Sequence, residues 1–137
     1  MKTVAQLLAE KGRNVISVRP ADSVMAALSV MSEKNVGALV VMDGEKMAGI
    51  FSERDYARKM ILYGHGSTGT TVSELMTSHV IHATLDQTLV ECMAIMSEKN
   101  FRHMPVVDGD KVVGVISATD LIRDSISIQD LVAEQMR

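Results

Sequence analysis

Apolar side chains recur at the spacing of an α-helix in several segments of the chain. Val24, Leu28 and Met31, for example, fall on one face of a helix. Ser23 before this segment, and Thr88 before a second segment of the same pattern, are suitable N-caps. The predicted helices are Val4–Leu8, 23–35, Tyr56–Leu62, Val72–Met76, 88–100 and Leu121–Ile126, with Asn35 and Asn100 as helix ends.

Short apolar runs between these helices predict β-strands. Two pairs of runs are joined by Asp-Gly, at Asp43-Gly44 and at Asp108-Gly109, which is a strong signal for a β-hairpin. The predicted strands are Val15–Val18, Ala38–Met42, Met47–Phe51, Val80–Ala83, Met104–Val107 and Val112–Ile116. The order helix, strand, helix, strand, strand, helix therefore occurs twice. Because a helix lies between the first two strands of each copy, those strands are free to be parallel.

The two copies of this order are also copies in sequence. Met31–Asn35 recurs as Met96–Asn100, an offset of 65 residues, and further upstream Thr3-Val4 recurs as Thr71-Val72 at an offset of 68. Repeats of about 60 residues are marginal alone, so we expect the two to pack together. The predicted organisation is a first repeat at 1–62, a linker at 63–70, a second repeat at 71–126 and a C-terminal helical tail at 127–137.

Composition and charge narrow the classes of function. A net charge of -3 argues against a nucleic-acid partner, because binding to phosphates needs a basic face. No apolar run is long enough to span a membrane. The single cysteine, Cys92, lies on the apolar face of a predicted helix, and we interpret it as a buried thiol in a reducing cytoplasm. With 3% aromatic residues, the core is expected to be aliphatic and filled by methionine.

A Gly-x-x-Ser-x-x-Asp motif occurs once in each repeat, at Gly49–Asp55 and at Gly114–Asp120. Together with Met104–Asp108, this motif resembles the CBS domain family, and the resemblance covers nearly the whole chain. It implies an α/β fold of tandem CBS repeats, packed sheet to sheet with pseudo-two-fold symmetry as a Bateman-type module. In many relatives, two clefts between the repeats hold AMP, ADP, ATP, NAD or S-adenosylmethionine. The chain is similar to stand-alone bacterial or archaeal CBS pairs, with no residues left for a catalytic domain.

The chemistry of the motif agrees with a nucleotide site. Asp55 and Asp120 are predicted where a strand ends and a helix begins, and a carboxylate there is able to accept the hydroxyls of a ribose. Ser52, Ser117 and Thr119 offer hydroxyls to a phosphate. The alternative is structural, because Ser-x-x-Asp also resembles a capping box. The two roles are compatible, since we expect a cap to leave the second carboxylate oxygen free.

The two predicted sites are unequal. Arg54 stands where the second repeat has Thr119, and Arg102-His103 stand where the first repeat has Gly37-Ala38. One site is predicted to combine Gly37 and Ala38 with Ser117, Thr119 and Asp120, and the other to combine Arg102 and His103 with Ser52, Arg54 and Asp55. We expect phosphorylated ligands to prefer the second site, because arginine binds phosphate with a planar fork of donors. The alternative for Arg54 is an exposed charge at the start of a helix.

Further contacts to the nucleotide are expected from one lysine and from the strands. Lys59 follows Arg54 by five residues and is predicted to reach the same phosphates. The remaining predicted contacts come from Val15, Ile16, Ala21, Val36, Val80, Ile81, Met104, Pro105 and Ile116. No metal site is expected, since His79 and His82 are three apart on a predicted strand and would face opposite sides.

These observations predict a regulatory module without catalytic activity that binds an adenine nucleotide, foremost AMP, and requires no cofactor. The alternative is a module for protein interaction whose clefts stay empty. We also expect a homodimer, because two repeats leave the outer helix positions Tyr56, Met60 and Ile61 without a cover. A regulated partner protein, not identified by the sequence, would detect the bound ligand.

Overall fold

The order of elements in the structure, a computed structural model that describes residues 2–63 and 69–124, agrees closely with the predicted order. The elements are α1 (Val4–Lys11), β1 (Ser17–Val18), α2 (Val24–Lys34), β2 (Ala38–Asp43), β3 (Lys46–Ser52), α3 (Glu53–Tyr63), α4 (Val72–Leu75), α5 (Leu89–Lys99), β4 (His103–Asp108) and β5 (Lys111–Ser117). Residues 118–124 are also helical. The strand predicted at Val80–Ala83 is wrong, because this segment makes only an isolated parallel bridge from Ala83 to Val106.

The predicted helix ends are confirmed for α2 and α5. The side chains of Ser23 and Thr88 accept hydrogen bonds from the backbone N–H groups of Ala26 and Glu91, as N-caps do. At the other ends, Asn35 and Asn100 adopt left-handed backbone conformations with φ of 54° and 59°. Asparagine tolerates this conformation better than most residues, so each helix stops there.

The sheet of the first repeat confirms both predicted pairings. Strand β1 is parallel to β2, and β2 is antiparallel to β3. The β2–β3 turn at Asp43-Gly44 places Gly44 at a φ of 63°, which suits glycine. In this register Ala38 lies opposite Ser52, so the start of β2 lies beside the Ser-x-x-Asp motif.

The chain divides into two compact units, and each contains the leading helix of the other repeat. The first unit comprises residues 14–63, 69–81 and 109–112, and the second unit comprises residues 2–13, 82–108 and 113–124. In the second unit the backbone N–H of Val4 donates to the carbonyl of Gln87 (2.8 Å) and that of Leu89 donates to the carbonyl of Lys2 (3.0 Å). In the first unit Ile50 and Thr77 exchange two backbone hydrogen bonds of 3.0 and 2.9 Å.

The repeat boundaries at 1–62 and 71–126 stay a prediction. They differ from the boundaries of the two compact units, because each unit contains the leading helix of the other repeat. Most of the predicted linker 63–70 and the whole predicted tail 127–137 lie outside the described residues.

Each unit has its own aliphatic core, to which the exchanged helix contributes. Helix α4 adds Val72 and Leu75 to the first core, and α1 adds Val4, Leu7 and Leu8 to the second. The predicted methionine filling is confirmed for Met31, Met96 and Met104, which are buried, and is wrong for Met25 and Met93, which are exposed. Apolar faces of both leading helices are thus removed from water inside a unit built around the other repeat.

The predicted lack of a cover is wrong for Tyr56 and Met60 of α3. Tyr56 and Met60 pack against the first core, and the side chain of Ile61 lies outside the described part. Apart from Leu62 near the end of α3, which is 76% exposed, the exposed apolar side chains include Met25 of α2 and Val90 of α5, at 48% and 59%. Met25 and Val90 occupy matching positions in the two repeats.

Candidate functional site

In the first unit, Ser52 and Asp55 form a reciprocal cap at the start of α3. Asp55 Oδ2 accepts hydrogen bonds from the backbone N–H and the hydroxyl of Ser52, both at 3.0 Å, and Ser52 Oγ accepts from the backbone N–H of Asp55 at 3.1 Å. The predicted capping role is therefore confirmed. Asp55 Oδ1 accepts a hydrogen bond of 3.0 Å from Thr77 Oγ1. The expectation that a cap leaves the second carboxylate oxygen free is wrong for Asp55, because the residues after α4 reach it.

Lys59 lies beside the same carboxylate, with its Nζ 3.6 Å from Asp55 Oδ1. Its ammonium group also donates to the carbonyl oxygens of Leu75 (2.8 Å) and Met76 (3.2 Å), at the end of α4. A cation at this position satisfies helix carbonyls that have no partner within the helix. These contacts support a structural role for Lys59, and its predicted contact with phosphate stays a prediction.

In the second unit, Ser117 and Asp120 repeat the cap at the start of the helical segment 118–124. Asp120 Oδ2 accepts from the backbone N–H of Ser117 at 2.8 Å, and Ser117 Oγ accepts from the backbone N–H of Asp120 at 3.2 Å. The same Oδ2 accepts a hydrogen bond of 2.6 Å from Lys11 Nζ, which also donates to the carbonyl of Val115 at 2.6 Å. Helix α1, the first helix of the first repeat, thus places the ammonium group of Lys11 beside the motif of the second repeat.

Lys11 and Thr77 are the contacts of the motif that sequence analysis missed. Lys11 lies 109 residues from Asp120, and Thr77 lies 22 residues from Asp55. One signal was available in the repeat alignment. The second repeat has Asp124 at the position of Lys59. Asp120 therefore has no lysine four residues further along the chain, whereas Asp55 has one. An uncompensated, largely buried carboxylate calls for a cation from elsewhere.

The surroundings of Asp120 act on its pKa in opposite directions. Burial of the carboxyl disfavours its charged form and raises the pKa, but the hydrogen bond from Lys11 and that from the backbone of Ser117 favour the anion. The net effect holds the pKa of Asp120 below its ordinary value. The carboxylate is therefore ionised at neutral pH, paired with Lys11.

Each unit also brings the start of its hairpin to its own motif. The backbone N–H of Glu53 donates to the carbonyl of Gly37 (3.0 Å) in the first unit, and that of Ala118 donates to the carbonyl of Arg102 (2.8 Å) in the second. Gly37 and Ala38 are thus grouped with Ser52–Asp55, and Arg102 and His103 with Ser117–Asp120. The predicted combinations across the repeats join residues of different units and stay predictions.

The other predicted contact residues fall into two classes. Met104, Pro105 and Ile116 are buried, and the side chains of Met104 and Ile116 belong to the core of the second unit. Their side chains are thus occupied by packing. The residues at or near the surface are Val15, Ile16, Ala21, Val36, Val80 and Ile81, with Arg54 and Thr119 exposed on the helix starts.

The described residues contain no group of His, Cys, Asp and Glu side chains that could hold a metal ion. His79 and His82 are exposed and do not lie on a strand, so the strand geometry predicted for them is wrong. Cys92 is buried as predicted, and burial, followed by the charge of Glu91, raises the pKa of its thiol. Within 2–63 and 69–124, every helix is too short or too polar to cross a bilayer.

The family profile of the CBS domain matches residues 5–62 and 72–132. The chain belongs to the CBS domain family. Its resemblance to known structures agrees, since it superimposes on the CBS domain protein NE2398 with a TM-score of 0.88 and 45% identity, covering 91% of this chain and 98% of that one.

Two further relatives are a plant protein and a CBS domain pair of known structure. The mitochondrial CBS domain-containing protein CBSX3 of Arabidopsis thaliana is 32% identical over 88% of this chain, which spans 63% of the length of the plant protein. The CBS domain pair of protein MJ0100 was crystallised with 5′-methylthioadenosine and S-adenosyl-L-methionine. It is 28% identical, with a TM-score of 0.79 over 90% of this chain and 94% of that one.

Proposed function

We propose that this CBS pair is a regulatory module that binds an adenosine-containing ligand, with AMP the first candidate, and carries out no reaction itself. The observation that supports it most is the complex of the MJ0100 CBS pair with two adenosine derivatives, in a chain of the same fold and 28% identity. The two ligands of that relative share adenine and ribose and differ at the 5′ position. An adenosine-binding surface is therefore the property most readily carried over.

The Ser-x-x-Asp motifs supply the polar groups for such a surface. At Asp120, the hydrogen bonds from Ser117 and Lys11 both end on Oδ2, which leaves Oδ1 for a ribose hydroxyl. A carboxylate is a strong acceptor for such hydroxyls. At Asp55 a ribose hydroxyl would have to replace or share the contact from Thr77. We therefore propose that the motif of the second unit is the stronger ribose site.

We further propose that the arginines tune the preference for phosphate. Arg54 and Arg102 are both exposed. Calorimetry with AMP and with adenosine, on the wild type and on Arg54→Ala combined with Arg102→Ala, tests this role. The double variant is expected to lose most of the preference for AMP, because charge-assisted bonds to phosphate are roughly twice as strong as neutral ones. An unchanged ratio of the two dissociation constants would assign these charges to solubility alone.

We propose that the bound ligand shifts the conformation or assembly of the module and that a partner protein responds to the change. The free, buried thiol of Cys92 is compatible with a reducing compartment, and we propose the cytoplasm.

A thermal-shift screen tests the proposed function directly. AMP, ADP, ATP, NAD, S-adenosylmethionine and 5′-methylthioadenosine are each added to the purified chain. A ligand at a hundred times its dissociation constant adds about 2.7 kcal/mol to the free energy of unfolding. At least one compound is expected to raise the melting temperature by several degrees, and guanosine monophosphate serves as the control for unspecific binding. A flat response to all six would contradict the proposal and favour a module for protein interaction.

A further inference from the structure

Lys11 pairs with Asp120 at the edge of the second unit. Its Nζ lies 2.6 Å from Asp120 Oδ2, and the side chains of Lys11 and Asp120 are 36% and 15% exposed. The ammonium group therefore remains accessible to water while the carboxylate is mostly buried. Any ligand whose ribose binds Asp120 would approach this cation as well, because the two charges occupy one spot on the surface.

The first unit reaches a similar pairing from an unrelated position. There the cation is Lys59 of α3, with Nζ 3.6 Å from Asp55 Oδ1. Lys11 lies where the repeat offset changes from 68 to 65, so its counterpart is His79 or Met76, and Lys59 is matched by Asp124. Neither lysine is thus a copy of the other. Two independent routes to a lysine beside the motif aspartate point to a requirement on the charge of the motif, and not to one inherited contact.

We propose that Lys11 determines ligand specificity in the second unit: by compensating the charge of Asp120, it makes this motif accept neutral and anionic adenosine ligands in preference to cationic ones. This role rests on the proposed adenosine-binding function. The physical reason is electrostatic, since an uncompensated carboxylate repels a nearby phosphate and attracts a nearby sulfonium. Asp120 would contact the ribose, and Lys11 would determine the net charge of the protein surface next to the 5′ substituent of the ligand.

Three ligands that differ in charge at the 5′ position probe this role. AMP carries a phosphate of about −1.5 to −2 charges at neutral pH. 5′-Methylthioadenosine is uncharged there, and S-adenosylmethionine carries a cationic sulfonium. Each is titrated at low ionic strength, where charge effects are screened least. Amide NMR spectra of the whole chain, labelled with 15N, follow Ser117 and Asp120 for the second unit and Ser52 and Asp55 for the first.

The test variant is Lys11→Met, which keeps the aliphatic stem and removes the charge. We expect it to weaken AMP binding at the second unit about tenfold while S-adenosylmethionine binding is unchanged or tighter. Lys11→Arg keeps the charge and is expected to behave as the wild type. The matched control is Lys111→Met, which removes an exposed lysine at the start of β5, six residues along the strand from Ser117. Dissociation constants at the first unit should not change.

Asp120→Asn provides an independent check if Lys11→Met unfolds the second unit. This variant leaves the charge of Lys11 uncompensated. The ratio of the AMP affinity to the S-adenosylmethionine affinity should therefore rise, even if both ligands bind more weakly. Equal weakening of all three ligands in Lys11→Met, or no change, would refute the specificity role and leave the proposed function intact. Ligand-induced shifts confined to Ser52 and Asp55 would refute it likewise. No shift with any ligand in the wild type would overturn the proposed function and this role together.

Discussion

A Cβ atom added at Gly49 would lie 2.5 Å from the carbonyl oxygen of Thr77. The approach is this close because Ile50 and Thr77 exchange two backbone hydrogen bonds, which bring the chain after α4 against β3. The glycine of the Gly-x-x-Ser-x-x-Asp motif therefore makes room for backbone from the other repeat. At the matching Gly114, an added Cβ would lie 2.9 Å from the side chain of Leu8.

This difference predicts that Gly49→Ala destabilises the protein more than Gly114→Ala. The backbone at Thr77 is held by hydrogen bonds and yields little, whereas the end of the buried Leu8 side chain is able to shift by a few tenths of an ångström at lower cost. We expect losses of about 2 to 4 kcal/mol for Gly49→Ala and about 1 to 2 kcal/mol for Gly114→Ala. Urea unfolding measures both. Equal losses, or the reverse order, would contradict the assignment.

The ion pair between Lys11 and Asp120 predicts a stability difference that depends on pH. The pKa of Asp120 is lowered in the folded protein, so its contribution is present above the unfolded pKa of about 3.9 and is lost as pH falls through the folded value. We expect the free energy of unfolding of the wild type to exceed that of Asp120→Asn by about 1 kcal/mol at pH 7. The difference is this small because Lys11 is partly exposed and water screens the ion pair. The excess should shrink as pH falls below about 4. A difference that stays constant from pH 7 to pH 3, measured by urea unfolding, would assign the effect to something other than this carboxylate.

The exchange of leading helices predicts which fragments fold. Residues 14–81 contain the first hairpin with α4, whereas residues 1–62 contain the same hairpin with α1. The two fragments are of similar length. We expect only 14–81 to unfold cooperatively, because it keeps Val72 and Leu75 in the first core. Circular dichroism during urea titration compares them. A cooperative transition in 1–62 that matches the one in 14–81 would contradict the composition of the units.

Homodimer formation is predicted from the exposed apolar residues Met25 and Val90, which occupy matching positions on α2 and α5. On α5, Val90 and Met93 are both exposed and three residues apart, so they form one apolar stripe, and a contiguous apolar surface is typical of an interface. Light scattering at micromolar concentration is expected to give twice the 14.9 kDa chain mass. Met25→Glu combined with Val90→Glu should yield the monomer mass, whereas Ala57→Glu on the exposed side of α3 should not. A monomer mass for the wild type would refute the prediction.

Several features of the site were predictable from short segments. The caps at Ser52–Asp55 and Ser117–Asp120 follow from residues three apart, whose contacts form as soon as the helix begins. The same holds for the N-caps Ser23 and Thr88 and for the Asp-Gly turns. The strand predicted at Val80–Ala83 was wrong because β-branched composition alone does not provide a neighbouring strand to pair with over several residues.

By itself the sequence determined the duplicated element order, the helix ends, the hairpins and the motif. Each of these depends on local backbone preferences and on the spacing of apolar residues along the chain. Tertiary structure decided which hairpin each leading helix covers, and with it the contacts of Lys11 with Asp120 and of Thr77 with Asp55. The apolar pattern of an amphipathic helix predicts that one face is buried, but it does not predict which element packs against that face. That choice is made by contacts between residues far apart in the chain, where packing and charge compensation decide together.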